Sequence, residues 1–223
     1  MTSSGTQEWR AIPIEAFIDR VWRQVGAPAG RPPVLAVDGR SSGGKTTLAN
    51  RLVAAIPGAA VVHTDDVAWW HAAFDWVDLL VDGVLAPVRR GAAVSYRPPK
   101  WDERGRPGAI EVPAGASLLV VEGVGAGRRE LTGLLDGVVW VQTDPDEAAR
   151  RDAARVAAGE TTPSNYAAWM AEEGPFVAAQ RAWERAFVTV CGSPALPHDP
   201  QADVVIGPSG QPSSGFGNVV PVD

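Results

Sequence analysis

Residues 39–47 read Gly39-Arg40-Ser41-Ser42-Gly43-Gly44-Lys45-Thr46-Thr47. The first eight fit the pattern G-x-x-x-x-G-K-[ST] without a mismatch, and a short apolar run precedes them. Glycines let backbone N–H groups close around phosphate oxygens, and the N-terminus of the following helix adds the positive end of its dipole. A chance glycine turn before a helix is the alternative. Because pattern and context agree, these nine residues predict a triphosphate-binding loop, with Lys45 on the phosphates and Thr46 on Mg²⁺.

Short apolar runs alternate with helical patterns on both sides of this loop. Five runs predict strands, at residues 34–37, 60–63, 117–121, 138–142 and 202–206. Helices are predicted at residues 14–25, 46–56, 127–135 and from 145 to about 190, with breaks near 159–163 and at Gly174-Pro175. This alternation predicts an α/β three-layer sandwich whose central sheet is mostly parallel and has about five strands.

The length of 223 residues suits one domain. We expect a single phosphate-loop domain over residues 1–206, with an acceptor-side insertion at about residues 67–115 that lies over the active site. Residues 207–223 are rich in Gly, Pro and Ser, and this composition predicts a disordered tail.

Composition limits the partners. The net charge of −6 argues against nucleic acid, and the single Cys191 excludes an internal disulfide and a cysteine-cluster metal site. No apolar run has the length needed to cross a bilayer, and the N-terminus lacks a signal-peptide pattern. We therefore expect a cytoplasmic protein that binds a small molecule, with no nucleic acid or membrane partner and with a homo-oligomer possible.

Carboxylates follow two of the predicted strands. Ligands of parallel sheets bind beyond the carboxyl ends of the strands, so Gly39, Asp65 and Glu122 should gather at one rim. Asp65 or Asp66 could take the proton of a hydroxyl nucleophile, and either could instead cap the next helix. Thr46, Glu122 and Asp65 are the candidate Mg²⁺ ligands, although a buried Glu122 could instead pair with an arginine.

Two arginines and the insertion supply the remaining candidates. Arg151 and Arg155 share one helix face, where they could stabilise transition-state charge or simply be solvated. Aromatic and polar residues of the insertion could bind an acceptor, or they could form a small core beneath it. The candidates for acceptor binding are Asp66, Trp69, Trp70, Tyr96, Arg97, Lys100 and Trp101. Seven arginines could hold an acceptor that is already phosphorylated, or pair with acidic neighbours: Arg89, Arg90, Arg97, Arg104, Arg106, Arg128 and Arg129.

Five segments in this order resemble the uridine kinase group, which also takes in phosphoribulokinase and the bacterial type of pantothenate kinase. They are GRSSGGKTT, HTDDVAW, VVEGVGAG, WVQTDPDEAARRDAAR and ADVVI, and the resemblance covers about residues 34–206. It implies a P-loop kinase that uses ATP and Mg²⁺ to phosphorylate a hydroxyl group. Asp65 matches the catalytic base, Glu122 lies near the metal, and Arg151 and Arg155 match arginines of a lid helix.

The same resemblance links Tyr96, in SYRPPKWD, to a substrate-side tyrosine. Two positions depart from it: Val67 replaces an aromatic residue, and Asp152 stands where relatives often carry another arginine. The acceptor is therefore open among nucleosides, vitamin precursors, sugars and antibiotics. Two other functions also fit a phosphate loop, namely a nucleotide-dependent switch and a kinase for nucleoside monophosphates.

Overall fold

The computed structural model describes residues 9–207. Residues 1–8 and 208–223 lie outside the described part, and with them lies all but the first residue of the predicted tail.

One seven-stranded sheet organises the chain, in the spatial order β1-β9-β8-β7-β2-β6-β3. Its strands are β1 (Arg10–Pro13), β2 (Val34–Gly39), β3 (Ala60–His63), β6 (Leu119–Glu122), β7 (Gly137–Gln142), β8 (Val188–Cys191) and β9 (Asp203–Gly207). A separate antiparallel hairpin in the insertion contains β4 (Val94–Tyr96) and β5 (Ile110–Val112). Strands β3, β6, β2, β7 and β8 run parallel, and at one edge β9 pairs antiparallel with β8 and β1 pairs antiparallel with β9.

The prediction of a mostly parallel α/β sheet is confirmed, but the count of about five strands was too low. The sequence reading missed β1 and β8. Strand β1 is a four-residue edge strand that carries an arginine and a proline, so it shows no apolar run. Strand β8 follows the last helices closely, and its VTVC sequence was taken for the end of a helix.

Helices cover both faces of the sheet. They are α1 (Ile14–Val25), α2 (Lys45–Ala55), α3 (Thr64–Val67), α4 (Val77–Leu80), α5 (Ala86–Arg89), α6 (Pro99–Glu103), α7 (Pro145–Ala157) and α8 (Pro163–Gln180). A π-helical turn, Val81–Leu85, joins α4 to α5, and 3₁₀ turns occupy Arg129–Leu131 and Ala182–Glu184. Within residues 9–207 no helix is both long and apolar enough to span a membrane.

Two helix predictions were wrong. The stretch 127–135 forms only the 3₁₀ turn at Arg129–Leu131, and its first residue, Gly127, instead donates its N–H to Asp38 of β2. Helix α8 continues through Gly174-Pro175 without a break. Buried Glu173 and Val177 hold this part of α8 against the protein, and this packing outweighs the backbone hydrogen bond that proline cannot donate.

The core has two halves, one on each face of the sheet. Alternate residues of β2 point to opposite faces, so Leu35 and Val37 pack with α1 and α2, while Val34 and Ala36 pack on the other side. The insertion contributes to this second half through Trp76, Leu80 and Trp101, among others. Its buried side chains thus share one core with the sheet.

A close contact inside the insertion gives a stability prediction. Gly83 lies against the ring of Tyr96, and a β-carbon at this position would overlap that ring. We expect Gly83→Ala to lower the free energy of unfolding by about 1–3 kcal/mol through overpacking. Gly133→Ala is the matched control, because a β-carbon there meets open space, and it should stay within about 0.5 kcal/mol of the parent. Urea unfolding measures both, and equal stabilities for the two variants would contradict the prediction.

Candidate active site

The phosphate loop connects β2, the middle one of the five parallel strands, to α2. Gly44 precedes α2 with a φ of 94°, a left-handed conformation that favours glycine. The buried ammonium group of Lys45 donates to the carbonyl oxygen of Arg40 at 2.8 Å, inside the loop. On its outer side the loop is held by Thr143, whose Oγ1 donates to the carbonyl oxygen of Gly43 at 2.6 Å. The loop therefore lies between a strand and a helix, as the sequence predicted, and its binding of phosphate stays a prediction.

Asp38, directly before the loop, fixes the neighbouring segment. Its buried carboxylate accepts hydrogen bonds from the backbone N–H groups of Gly39, Gly125 and Gly127 at 2.7, 2.9 and 2.9 Å. Burial raises the pKa of the Asp38 carboxyl, and the three N–H donors, which favour the ionised form, oppose that shift. The sequence analysis gave this residue no role.

Glu122, at the carboxyl end of β6, connects two neighbouring elements. Its Oε1 accepts a hydrogen bond from the Thr46 hydroxyl at 3.1 Å and lies 2.6 Å from Nδ1 of His63, its register partner on β3. The hydrogen bond to Glu122 raises the pKa of His63, and partial burial opposes the shift. The alternative in which Glu122 pairs with an arginine is not what the structure shows, because its ionisable partner is His63.

The second carboxylate oxygen of Glu122, Oε2, is relevant to metal binding. Among the described residues, Oε2 of Glu122 is buried and has no hydrogen-bond partner. A carboxylate oxygen beside a threonine hydroxyl is a donor set that suits Mg²⁺, which takes one or two protein ligands together with phosphate oxygens and water. No cluster of three or more His, Cys, Asp or Glu side chains suited to a metal occurs within residues 9–207. The residues present thus fit Mg²⁺ bound mainly through a nucleotide.

Asp65 lies at the start of α3 and lines the same cleft as the phosphate loop. Its carboxylate is open to solvent within the cleft, yet protein surrounds it on most sides. This desolvation raises the pKa of Asp65; the charges of Lys45 and Arg155 oppose the shift, while Glu122 adds to it. Asp65, Glu122 and the loop therefore line one cleft of about 1060 Å³, at the rim of the sheet where the sequence predicted them to meet.

The two predicted lid arginines line this cleft from α7. Arg151 donates to the carbonyl oxygens of Ser42 and Gly192 at 3.0 and 2.9 Å, and its Nε donates to Glu147 at 2.8 Å. Arg155, one turn later, donates to Glu160 at 3.1 Å and remains half exposed. The shared face of the two arginines agrees with their spacing, and their catalytic role stays a prediction.

Carboxylates of α7 and α8 also contact the phosphate loop. Asp152, the departure from the resemblance, accepts a hydrogen bond from the Ser42 hydroxyl at 2.5 Å. Glu173 is fully buried and accepts from the backbone N–H of Ser41 at 2.6 Å. The indole Nε1 of Trp169 donates both to Ser41 Oγ at 2.6 Å and to Glu173 at 3.0 Å. We call Ser41, Trp169 and Glu173 the lid clasp.

The seven residues predicted to bind the acceptor do not line this cleft. Arginine–tryptophan contacts account for three of them: the Arg106 guanidinium covers Trp101 at 3.8 Å and approaches Trp69 at 5.2 Å, and Arg104 covers Trp70 at 3.6 Å. Trp101 is also buried and donates to the carbonyl oxygen of Asp66. Trp101 therefore fits the alternative interpretation, in which it packs in a core instead of binding an acceptor.

The other four residues also have contacts within the protein, through ion pairs or packing. Asp66 pairs with Arg106 at 2.5 Å, Arg97 with Asp102 at 2.7 Å, and Lys100 with Glu103 at 2.5 Å. Tyr96 packs against Gly83. A role for these residues in acceptor binding stays a prediction, one that the geometry of the cleft does not favour.

Residues that the sequence analysis did not name line part of the cleft wall. His71, in the loop after α3, lines the cleft, and so do Asn165, Trp169 and Glu172 of α8. The last three are spaced at i, i+4 and i+7, which places them on one face of the helix. That spacing could have been found from the sequence, but the expected break at Gly174-Pro175 and the weak amphipathic pattern of α8 concealed it.

Comparisons with known proteins agree on the fold. A structure from Bacillus stearothermophilus, described as a possible uridine kinase, has a TM-score of 0.51 and 19% identity, and the match covers 79% of this chain and 98% of that one. A structure from Silicibacter sp. TM1040, provisionally named a fructose transport system kinase, has a TM-score of 0.55 and 19% identity, with 77% and 93% covered. No family model matches the chain, and no curated protein sequence matches it. The chain thus shares its α/β fold with these two structures, which agrees with the fold that the resemblance implied.

The lid clasp gives a second stability prediction. In Glu173→Gln one oxygen becomes an N–H₂ donor, so either Ser41 N–H or Trp169 Nε1 faces another donor in a buried site. We expect the free energy of unfolding to fall by about 1–3 kcal/mol. Glu172→Gln, an exposed neighbour on the same helix, should change it by less than about 0.5 kcal/mol. Urea unfolding without nucleotide compares the two, and an unaltered Glu173→Gln variant would show that the clasp contributes no stability.

Proposed function

We propose that the protein is an ATP- and Mg²⁺-dependent kinase that transfers the γ-phosphoryl group to a hydroxyl group of a small metabolite. The observation that carries this proposal is the presence of the Asp65 carboxylate in the same cleft as the phosphate loop, Lys45 and Glu122. A phosphate loop alone suits any triphosphate-binding protein. A solvent-accessible carboxylate facing that loop adds the proton acceptor that transfer to a hydroxyl requires.

The reaction assigns one task to each group. Asp65 takes the proton of the acceptor hydroxyl as its oxygen forms a bond to the γ-phosphorus, while the bond from that phosphorus to the β–γ bridging oxygen breaks and ADP leaves with the electron pair. Lys45 and the loop N–H groups hold the phosphates, and Thr46 with Glu122 would hold the metal. When bound, Mg²⁺ would neutralise part of the charge of the phosphate groups. Arg151 and Arg155 add positive charge from the lid.

The raised pKa of Asp65 supports the role of base. Desolvation makes a carboxylate a better proton acceptor than it would be in water, and Lys45 and Arg155 keep the shift limited. The neighbouring Asp66 does not line the cleft, and its carboxylate is paired with Arg106.

A metabolite screen tests the function. The purified protein is incubated with ATP and Mg²⁺ together with nucleosides, vitamin precursors, sugars or aminoglycosides, and mass spectrometry detects a product heavier by one phosphoryl group. We expect one acceptor class to be phosphorylated and to stimulate ADP release. Nucleotide hydrolysis that responds to a protein partner and to no metabolite would contradict the kinase and favour a switch.

Asp65→Asn tests the base. With the acceptor found in the screen, we expect kcat to fall by about 10²–10⁴-fold, because that is the usual contribution of general base catalysis. The Kd for ATP should be unchanged, since the phosphate loop is intact. Asp66→Asn, which breaks only the pair with Arg106, should cause a much smaller loss. Comparable kcat values for Asp65→Asn and the parent protein would refute the assignment.

Glu122→Gln tests the metal site. Because the amide removes the charge that attracts the cation, we expect the Mg²⁺ concentration for half-maximal ATP binding, measured by calorimetry, to rise by about tenfold or more. Glu130→Gln, whose carboxylate pairs with Arg128 instead, serves as the control. Equal Mg²⁺ requirements in the two variants would remove Glu122 from the site.

A further inference from the structure

The arginines considered for a phosphorylated acceptor have their contacts outside the cleft. None of the seven that could hold a phosphorylated acceptor lines it, within the part of the chain that the structure describes. Four pair with carboxylates and one covers an indole ring: Arg89 with Asp136, Arg97 with Asp102, Arg106 with Asp66, Arg128 with Glu130, and Arg104 over Trp70. Their charges are therefore compensated at a distance from the space where an acceptor would bind.

The lysine and arginine side chains that do line the cleft belong to the nucleotide side. Lys45 lies inside the phosphate loop, and Arg151 bonds to the loop and to Gly192. Arg51 donates to the carbonyl oxygen of Gln201, near the end of the cleft formed by residues 194–205. Arg155 is the fourth of these side chains, and its positive charge opposes the upward shift in the pKa of Asp65.

Carboxylates outside the proposed metal site also line the cleft. Asp65 lines it at the sheet rim, and Glu172 lines it from α8. A phosphate dianion on the acceptor would face these carboxylates without an arginine or lysine of its own, since the transferred phosphoryl group already engages the cations of the loop and the lid. Such like-charge contacts disfavour an anionic ligand strongly when little water separates the groups.

His71 supplies a polar group that lacks a partner. Its Nε2 is buried and forms no hydrogen bond with any described residue, although the residue lines the cleft. The loop that carries it is fixed, because the His71 N–H donates to the carbonyl oxygen of Ala68 and Phe74 packs against Trp169 at 5.1 Å between ring centroids. A buried polar atom without a partner is costly, and a bound ligand is one way to supply the missing hydrogen bond.

We propose that the acceptor carries no phosphate group and is held by a hydrogen bond between one of its polar groups and Nε2 of His71. The inference rests on the proposed kinase function, and it narrows the acceptor to a neutral or cationic hydroxyl compound. It separates the present site from one built for nucleoside monophosphates or sugar phosphates, for which the cleft would need a further arginine or lysine besides Lys45 and the arginines that the proposed function assigns to ATP.

Matched acceptor pairs test the substrate class. Each compound of the screen is tested beside its own monophosphate, for example a nucleoside with its 5′-monophosphate or a sugar with the sugar phosphate. We expect kcat/KM to favour the unphosphorylated member by at least about 10²-fold. Preference for the monophosphate would overturn this inference and leave the kinase function standing, whereas no phosphorylation of either member would overturn the proposed function itself.

Variants of His71 test the contact. In His71→Ala we expect KM for the acceptor to rise about tenfold and KM for ATP to stay within about twofold, because only the acceptor loses a hydrogen bond. His71→Gln, which keeps a hydrogen-bonding group, should recover part of the loss. Ala72→Ser is the control for the loop, since Ala72 is exposed and does not line the cleft. An unchanged KM for the acceptor, or equal rises for both substrates, would refute the role of His71.

Discussion

The buried carboxylate of Asp38 is the constraint on which the site depends. Asp38 is the last residue but one of β2, and a buried charge in that position must be matched by hydrogen-bond donors. Three backbone N–H groups supply them, one from the phosphate loop and two from Gly125 and Gly127 in the segment after β6. That segment begins where Glu122 ends its strand, so the bonds to Asp38 also set the position of Glu122 beside Thr46. One carboxylate therefore connects the group that binds phosphate to the group that fits the metal.

Strand register completes the site. In parallel strands the carboxyl ends meet at one edge, and here the register sets Glu122 beside both Val37 of β2 and His63 of β3. Glu122 thus lies between the strand that enters the phosphate loop and the strand that enters α3 with Asp65. A shift of one residue in either pairing would turn the Glu122 side chain to the opposite face of the sheet, away from Thr46.

This geometry also explains what the sequence could predict. The phosphate loop is local, and Asp65 and Glu122 follow apolar runs, so their meeting at one rim required only the rule for parallel sheets. His63 stood in the quoted segment beside Asp65, but its importance depends on the β3–β6 pairing, which no local pattern reveals.

The contacts of the tryptophans in the insertion could not be predicted from local sequence. Arg104 and Arg106, rather than a ligand, cover Trp70 and Trp101, and the choice between these partners depends on how the insertion folds. Likewise, α8 passes through a proline because buried Glu173 anchors it, a tertiary contact that overrides local propensity.

Trp169 joins the two ends of the cleft. Its indole N–H bonds to Ser41 of the phosphate loop and to Glu173, while its ring packs against Phe74 in the loop that carries His71. Phe74 in turn stacks on Phe176, one turn after Glu173 on α8, at 3.9 Å between ring centroids. The wall that faces an acceptor is therefore attached to the loop that faces the phosphates through one side chain. A displacement of either the loop or α8 must move Trp169, and with it the surface against which the acceptor lies.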